Sequence, residues 1–454
     1  MRTKIFSGRL IVIAGILTSV NAAMPAQEVK SLTLETAVEL ALQNNHLLNI
    51  RKLQVEEKQQ KINEDRVKYF PVIGLGGSYQ YNTRLPELVI EQGRFGGLPL
   101  GGTIIPLPAI DERFDLGQHN VYNAGVTFYQ PVTQLGRINA GVNYSKTEMH
   151  IAETEELRAV MQVKQVVEKL FFGLLITGKQ IEEAELKLSL AVTKLHDGES
   201  ALAAGKITES GTIGLSAAAA DEEQNLLRLR MQYDDYVSDL VQLTGLNPGE
   251  RLLPEPVAHE DFQESIAAID TSLSRASEGN NDLRIAMLNK TRADYSIRAS
   301  RYSYLPDVGI LGGYTYQEGT DIYPKNNAYI GASLKWNLND AFANRMIQRQ
   351  RMYLKQQAEE NLLNTKEQVN RDIAKAYRRL IQSGGLIKVA VKAVEYRKAD
   401  LKIVSDRRKS GLNMESDLLA AKAAMAKAEA DLFAAQLNYR IALSELKILT
   451  GTYK

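Results

Sequence analysis

The sequence predicts a mixed α and β chain, built twice over, in which short β-strands lead into unusually long helices. Three observations carry this. The chain repeats itself at an offset of 206 residues: Gly205 answers Gly411, Tyr233 answers Tyr439, Leu240 answers Leu446, and Leu243-Thr244-Gly245 answers Leu449-Thr450-Gly451. Two blocks, from Pro131 to Pro248 and from Pro324 to Lys454, have no interior proline. Since an interior proline costs a helix about 3 kcal/mol, both blocks read as helix. Finally, four segments alternate apolar and small or polar residues with a period of two, as strands do.

The clearest helix is the last. Leu418, Met425, Leu432, Tyr439 and Leu446 occupy one heptad position, and Ala421, Ala428, Ala435, Ala442 and Leu449 a second. Large residues thus alternate with mostly small ones along a coiled-coil stripe, which allows close backbone approach. A single amphipathic helix of a soluble bundle would show a similar stripe, and only the repeat argues for more. Each proline-free block reads as a long helix, a glycine-bearing turn and a shorter returning helix. At about 1.5 Å per residue the long members would reach about 100 Å, beyond a compact domain. Gly178 and Gly384 recur in register within them, where a bend or a packing contact is expected.

Strand entry also repeats. Tyr69-Phe70-Pro71 answers Tyr304-Leu305-Pro306 at an offset of 235, and the two offsets differ by 29 residues, an insertion between Tyr81 and Asn120. After Pro71, Ile73, Leu75, Tyr79 and Tyr81 share one face; Tyr122, Ala124, Val126 and Phe128 do so in the second strand. The third alternates Val308, Ile310, Tyr314 and Tyr316, and the fourth Ala328, Ile330, Ala332, Leu334 and Trp336. Tyrosines near the ends, and the single tryptophan, suit transmembrane barrel strands, and a soluble antiparallel sheet would show the same alternation. Four strands cannot close a barrel wide enough for a pore, so chains would have to share one.

The opening residues Arg2, Lys4 and Arg9, the apolar run Leu10 to Val20 and the small residues to Ala23 read as a secretory signal peptide. The run is too short for a membrane anchor. Its removal would turn a formal charge of +1 into −2, and neither sign dominates, which argues against a nucleic-acid partner. The chain has no cysteine, so disulfides, thiolate metal sites and a thiol nucleophile are excluded. His46, His119, His150, His196 and His259 show no metal-ligand spacing, and Gly74-Leu75-Gly76-Gly77 begins a strand instead of opening a helix as a phosphate-binding loop does. We expect no catalytic residue, cofactor or metal.

The sequence divides into a signal peptide (1–22), a first repeat (23–245; strands 71–81 and 121–130, long helix 135–203, return helix 211–243), a linker (246–280) and a second repeat (281–454; strands 306–316 and 327–336, long helix 338–409, return helix 415–450). With the opening Leu32 to Ala41, the two Tyr-x-Pro strand entries, the glycine-centred turns and the Leu-Thr-Gly endings, this order resembles the TolC-like outer-membrane efflux proteins over nearly the whole mature length. The resemblance implies a homotrimer whose chains each give four strands to one barrel in outer-membrane lipid, continued by a hollow periplasmic helical tunnel. It further implies a periplasmic adaptor protein and an inner-membrane transporter as partners, the chain being a passive exit duct of a tripartite export system. The competing reading is a secreted coiled-coil structural or adhesive protein.

The resemblance also places function at the helical tips. Adaptor docking falls on Ala204, Gly205, Lys206, Ile207, Ser410, Gly411, Leu412 and Asn413. An acidic ring of the family falls on Asp417, where three carboxylates would favour cations; a helix first-turn aspartate facing the macrodipole is the alternative. Other members carry a second acid where this chain has Ala420, latch residues at Arg408 and Asn413, and their aspartate partner at Gly211. A different latch from Glu209, Glu415 and Arg408 is therefore expected. The insertion, Gly- and Pro-rich from Arg94 to Pro108, would face outside the cell as a lid or a passive loop.

Overall fold

A computed structural model describes residues 29–246, 251–255, 279–320, 323–410 and 414–452, with Thr271, Ser274 and Ala276. The expected signal peptide and most of the expected linker lie outside the described residues. Helices α1 (Leu34–Asn44), α2 (His46–Val67), α3 (Leu135–Ala203) and α4 (Glu209–Thr244) belong to the first half, and α5 (Asn281–Tyr302), α6 (Leu338–Lys409) and α7 (Glu415–Leu449) to the second. Helices α3 and α6 span 69 and 72 residues. The strands β2 (Val72–Tyr81), β7 (Asn120–Pro131), β9 (Asp307–Glu318) and β10 (Asn326–Lys335) form one antiparallel sheet in the order β10-β9-β7-β2.

Short side chains set the helix boundaries. Asn45 separates α1 from α2, its Oδ1 accepting the N–H groups of Leu47 and Leu48 at 2.9 and 3.4 Å. Asn280 caps α5 in the same way, accepting from the Leu283 N–H at 2.9 Å. Helix α4 begins at Glu209, two residues earlier than the sequence reading placed it, because Thr208 already has the extended backbone of an N-cap (φ −91°, ψ 159°). Strand β9 runs on to Glu318, past the expected 316, and stops where Gly319 takes a positive φ of 97°.

The repeated Leu-Thr-Gly ending now has a physical reason. Thr244 and Thr450 each return their hydroxyl to the carbonyl four residues back, at 2.7 and 2.8 Å. Gly245 and Gly451 then end the helix with φ of 70° and 66°, a conformation glycine adopts without steric cost. Each ending meets the start of a strand-bound helix: Asn44 Nδ2 donates to the Thr244 carbonyl at 2.7 Å, and Asn280 Nδ2 to the Leu449 carbonyl at 2.9 Å. Gly178 and Gly384 prove to be packing contacts. A Cβ at either would lie 3.8 and 3.6 Å from the rings of Tyr233 and Tyr439, the matched tyrosines of the returning helices.

The main apolar core sits midway along α3, where Val167, Leu170, Phe171, Phe172 and Leu174 meet Ala37 and Ala41 of α1, Ile373 and Leu380 of α6, and Tyr439 and Leu446 of α7. A parallel pair, β1 (Val29–Leu32) with β8 (Arg251–Pro254), covers it with Leu32. From the core the helices run as a row. Below it the order is α4-α3-α7-α6, and above it α2-α3-α5-α6. One lateral edge of the chain is therefore β2, α2 and α4 throughout, and the other β10 and α6.

Burial follows from that order. Helix α7, flanked on both sides, buries fourteen of its 35 residues, including Leu418, Leu432, Tyr439 and Leu446 of the seam. The edge helix α4 buries only five of 36. Phe342, Met346, Tyr353, Val389, Tyr396 and Ile403 stand exposed along the opposite edge on α6. Ion pairs rim the internal interfaces, among them Lys179–Glu429 at 2.7 Å, Arg230–Glu185 at 2.7 Å and Lys355–Asp294 at 2.8 Å. Exposed pairs of this kind are worth at most about 1 kcal/mol each. Stability comes instead from the core, and Phe171→Ala should cost about 3–5 kcal/mol, read as a lower temperature of thermal unfolding in detergent.

Candidate functional site

No described helix is long and apolar enough to cross a membrane. The sheet has one face suited to hydrocarbon. The register sets Ile73 against Phe128, Leu75 against Val126 and Tyr79 against Tyr122; Val126 in turn faces Tyr314, and Tyr314 faces Ala328. All four alternating apolar sets thus fall on the same face, with Leu75 83% and Ile330 79% exposed. A slip of one residue at any of the three ladders would have broken this face. Tyr79, Tyr81, Tyr122, Tyr314 and Tyr316 gather toward one rim and Trp336 stands at the other, as aromatic girdles do. The opposite face carries Gly74, Gly76, Ser78, Gln80, Asn123, Thr127, Thr315 and Ser333, small or polar groups suited to a wet lumen.

At the far end of the helices lie the two tips. The first is closed by a paired backbone motif: Gly205 N–H donates to the Leu202 carbonyl and Lys206 N–H to that of Ala201, both at 2.8 Å, with Gly205 at φ 69°. Ala204, Gly205 and Lys206 are exposed and Ile207 is half-buried. Gly198 of α3 admits Ile207 and Leu215, which lie over it and hold the turn against the long helix. At the second tip Ser410 ends α6 and is exposed; Gly411, Leu412 and Asn413 lie outside the described residues.

Of the four expected gate residues the structure brings two together. Arg408 at the end of α6 forms an ion pair with Glu415 at the start of α7, bridging the second tip. Glu209 begins α4 on the other tip and makes no ion pair among the described residues, so within one chain the three-membered latch reduces to a pair. Asp417 is exposed, and its carboxylate accepts the Met414 N–H at 3.2 Å. It therefore caps α7, as a first-turn aspartate does. The residue as a whole is exposed, so capping and a pore-side charge are compatible.

Sequence reasoning missed the charge buried at the core. Glu168 of α3, 7% exposed, accepts from the Ser444 hydroxyl of α7 at 3.1 Å and lies 3.8 Å from Arg440. Burial pushes its carboxyl above the usual range, and Arg440, Ser444, Lys447 and Lys164 only partly offset that. Nothing in the heptad pattern marks it, because Ser444 and Arg440, the groups that meet it, lie far away in the chain on α7. Asp65 of α2 behaves oppositely. Desolvation raises its carboxyl, but hydrogen bonds from Lys68 and Ser145 and the charges of Lys68 and Lys61 leave it below the usual range. A carboxyl raised in the folded state binds more protons than in the unfolded one, so its contribution falls as pH rises from the unfolded value through the folded one. Glu168→Gln should therefore flatten the loss of thermal stability that sets in as pH rises above the ordinary glutamate value, while retaining the Ser444 contact; an identical pH profile of melting would contradict this.

Comparison with known proteins agrees with this geometry. The profile of the family described as Outer membrane efflux protein matches residues 37–246 and 272–452. No curated protein matches the sequence significantly. The fold is similar to the Campylobacter jejuni CmeC outer membrane channel, at 15% identity and a TM-score of 0.70, over 98% of this chain and 94% of that one. It is similar to the Vibrio cholerae outer membrane protein VceC at 16% identity and a TM-score of 0.68, over 92% and 96%. The open state of the Neisseria gonorrhoeae MtrE outer membrane channel matches at 18% identity and a TM-score of 0.63, over 93% and 89%. The reading as a secreted adhesive or structural protein finds no support in these matches.

Proposed function

The chain belongs to the outer membrane efflux protein family, and from that premise we propose how its own residues gate and dock an outer-membrane exit duct. It is an efflux channel of the outer membrane with a periplasmic helical extension, and the family acts in trimers within tripartite systems that include an adaptor and an inner-membrane pump. For this chain the partners are a periplasmic adaptor protein and an inner-membrane transporter. The observation that carries the gating proposal is the Arg408–Glu415 pair, which locks the turn between α6 and α7 at the tip.

Three such tips converge on the threefold axis of a trimer. The exposed Asp417 carboxylates then face one another around the constriction, where three like charges concentrate cations. Opening requires each tip to loosen and swing outward, and the Arg408–Glu415 pair resists the loosening by keeping the end of α6 and the start of α7 together. Glu209 contributes from the adjoining first tip, as a further acid at the same level. The cost of opening is small because the pair is partly solvated. An adaptor can supply it by docking on Ala204, Gly205, Lys206, Ile207, Ser410, Gly411, Leu412 and Asn413.

Conductance of the trimer in a planar bilayer tests the gate. Asp417→Asn should weaken cation selectivity and block by multivalent cations, whereas unaltered block would reduce Asp417 to its capping role. Arg408→Ala should raise closed-state conductance several-fold while leaving thermal stability within about 1 kcal/mol; an unchanged conductance would remove the pair from the gate.

Docking is tested separately at the first turn. Gly205→Val forces a β-branched residue into a positive φ, at about 1–2 kcal/mol of local strain. It should reduce adaptor pull-down and export while the detergent-solubilised trimer persists. Wild-type adaptor capture by this variant would move docking elsewhere.

A further inference from the structure

The insertion between Tyr81 and Asn120 runs out and back as a ribbon of two short ladders joined by turns. Beyond the β2–β7 ladder, β3 (Glu87–Ile90) pairs with β6 (Glu112–Asp115), and β4 (Gly97–Leu100) pairs with β5 (Thr103–Pro106). Between these ladders Gly93 N–H donates to the Pro108 carbonyl and Phe95 N–H to that of Leu107. Gly101 and Gly102, with φ of 58° and 93°, make the two-residue turn at its end.

Its chemistry changes sharply along its length. The lower part is charged, with Arg84, Glu87, Glu91 and Arg94 on one strand and Asp111, Glu112, Arg113 and Asp115 on the other. From Phe95 to Ile110 there is no charged residue at all. The register places Leu98, Leu100 and Ile105 on one face of the tip and Pro99, Ile104 and Pro106 on the other. Phe95 is 72% and Ile104 71% exposed. A ribbon apolar on both faces is marginal in water by itself, so something must cover both faces.

We propose that the cover is the same ribbon from the other two copies, the three tips meeting on the trimer axis as an apolar plug of the extracellular mouth. This rests on the shared-barrel reading above. Twelve strands about 4.8 Å apart and tilted about 40° make a wall of radius about 12 Å. The outgoing strand from Asn82 to Gly101 is longer than that even at half of its extended contour, about 30 Å at about 3.3 Å per residue. Threefold packing gives each ribbon one neighbour on each face, which matches its two-sided apolar character. Burial in the bilayer does not, because the charged collar separates the tip from the apolar band of the sheet and would have to enter hydrocarbon with it. The ribbon also springs from β2, the edge strand that meets the neighbouring chain. An apolar constriction of this kind narrows the mouth without sealing it, leaving the periplasmic tips as the tighter gate, and widens when its walls part.

The absence of cysteine makes the test clean. In trimers isolated in detergent and verified by native mass, Leu100→Cys should form an inter-chain disulfide on mild oxidation, linking about two thirds of chains as dimers because one thiol of three stays unpaired. Thr103→Cys, across the turn, should do the same. Arg84→Cys, at the barrel wall, should not cross-link, and Ile104→Asp added to Leu100→Cys should reduce the dimer at least tenfold. A verified trimer whose Leu100→Cys thiols stay unlinked, or link no more than those of Arg84→Cys, or link regardless of Ile104→Asp, would overturn the plug alone. Failure to isolate a trimer would instead remove the shared barrel on which it rests.

Discussion

The constraint on which this structure depends is the pair of open edges on its sheet. Strands β2 and β10 each present a row of backbone N–H and C=O groups with no neighbouring strand among the described residues, on a sheet whose outer face is apolar. In hydrocarbon each unsatisfied group costs several kcal/mol, which four strands cannot bear alone. Closure across copies removes both edges at once, since β2 of one chain can pair with β10 of the next. The contact is head-to-tail, so it either closes into a ring or grows without end. The family's trimer is the closed solution.

The helices inherit the same logic. Because β2, α2 and α4 share one lateral edge and β10 and α6 the other, closing the sheet also brings α4 beside the neighbour's α6 along their length. That explains the meagre burial of α4 and the apolar residues left bare on α6, features that would be liabilities in a lone chain. Inside the chain, the same device is used twice. A glycine in each long helix receives a tyrosine from its returning helix, a threonine folds its hydroxyl back on the last turn, and a glycine stops it. Each repeat thereby finishes where its own strand-bound helix begins, which fixes the distance from barrel to tip.

Much of this is legible in the sequence, for physical reasons. Proline excluded from two long blocks leaves long helices free to run through them, broken at the tips, and a period of two is plain once four segments show it with aromatic ends. The repeat at 206 residues turned weak motifs such as Leu-Thr-Gly into a joint pattern. The order of strands and the single apolar face were less accessible, since register depends on pairings between β7 and β9 separated by the whole first hairpin of helices. Glu168 was invisible because its partner Ser444 is remote in sequence. The latch was half legible: Arg408 and Glu415 are seven residues apart across one turn, whereas Glu209 belongs to a different tip. The insertion read as a loop because glycine and proline usually break structure; here they shape the bends of a ribbon instead.

Hydrogen exchange of the edge strands in the detergent-solubilised protein tests the central claim most directly. A shared barrel predicts that the amides of β2 and β10 exchange as slowly as those of β7 and β9, because every strand then has two neighbours. Rapid exchange confined to the outward amides of β2 and β10, in protein whose β7 and β9 remain protected, would mean that the edges stay open and that no barrel is shared.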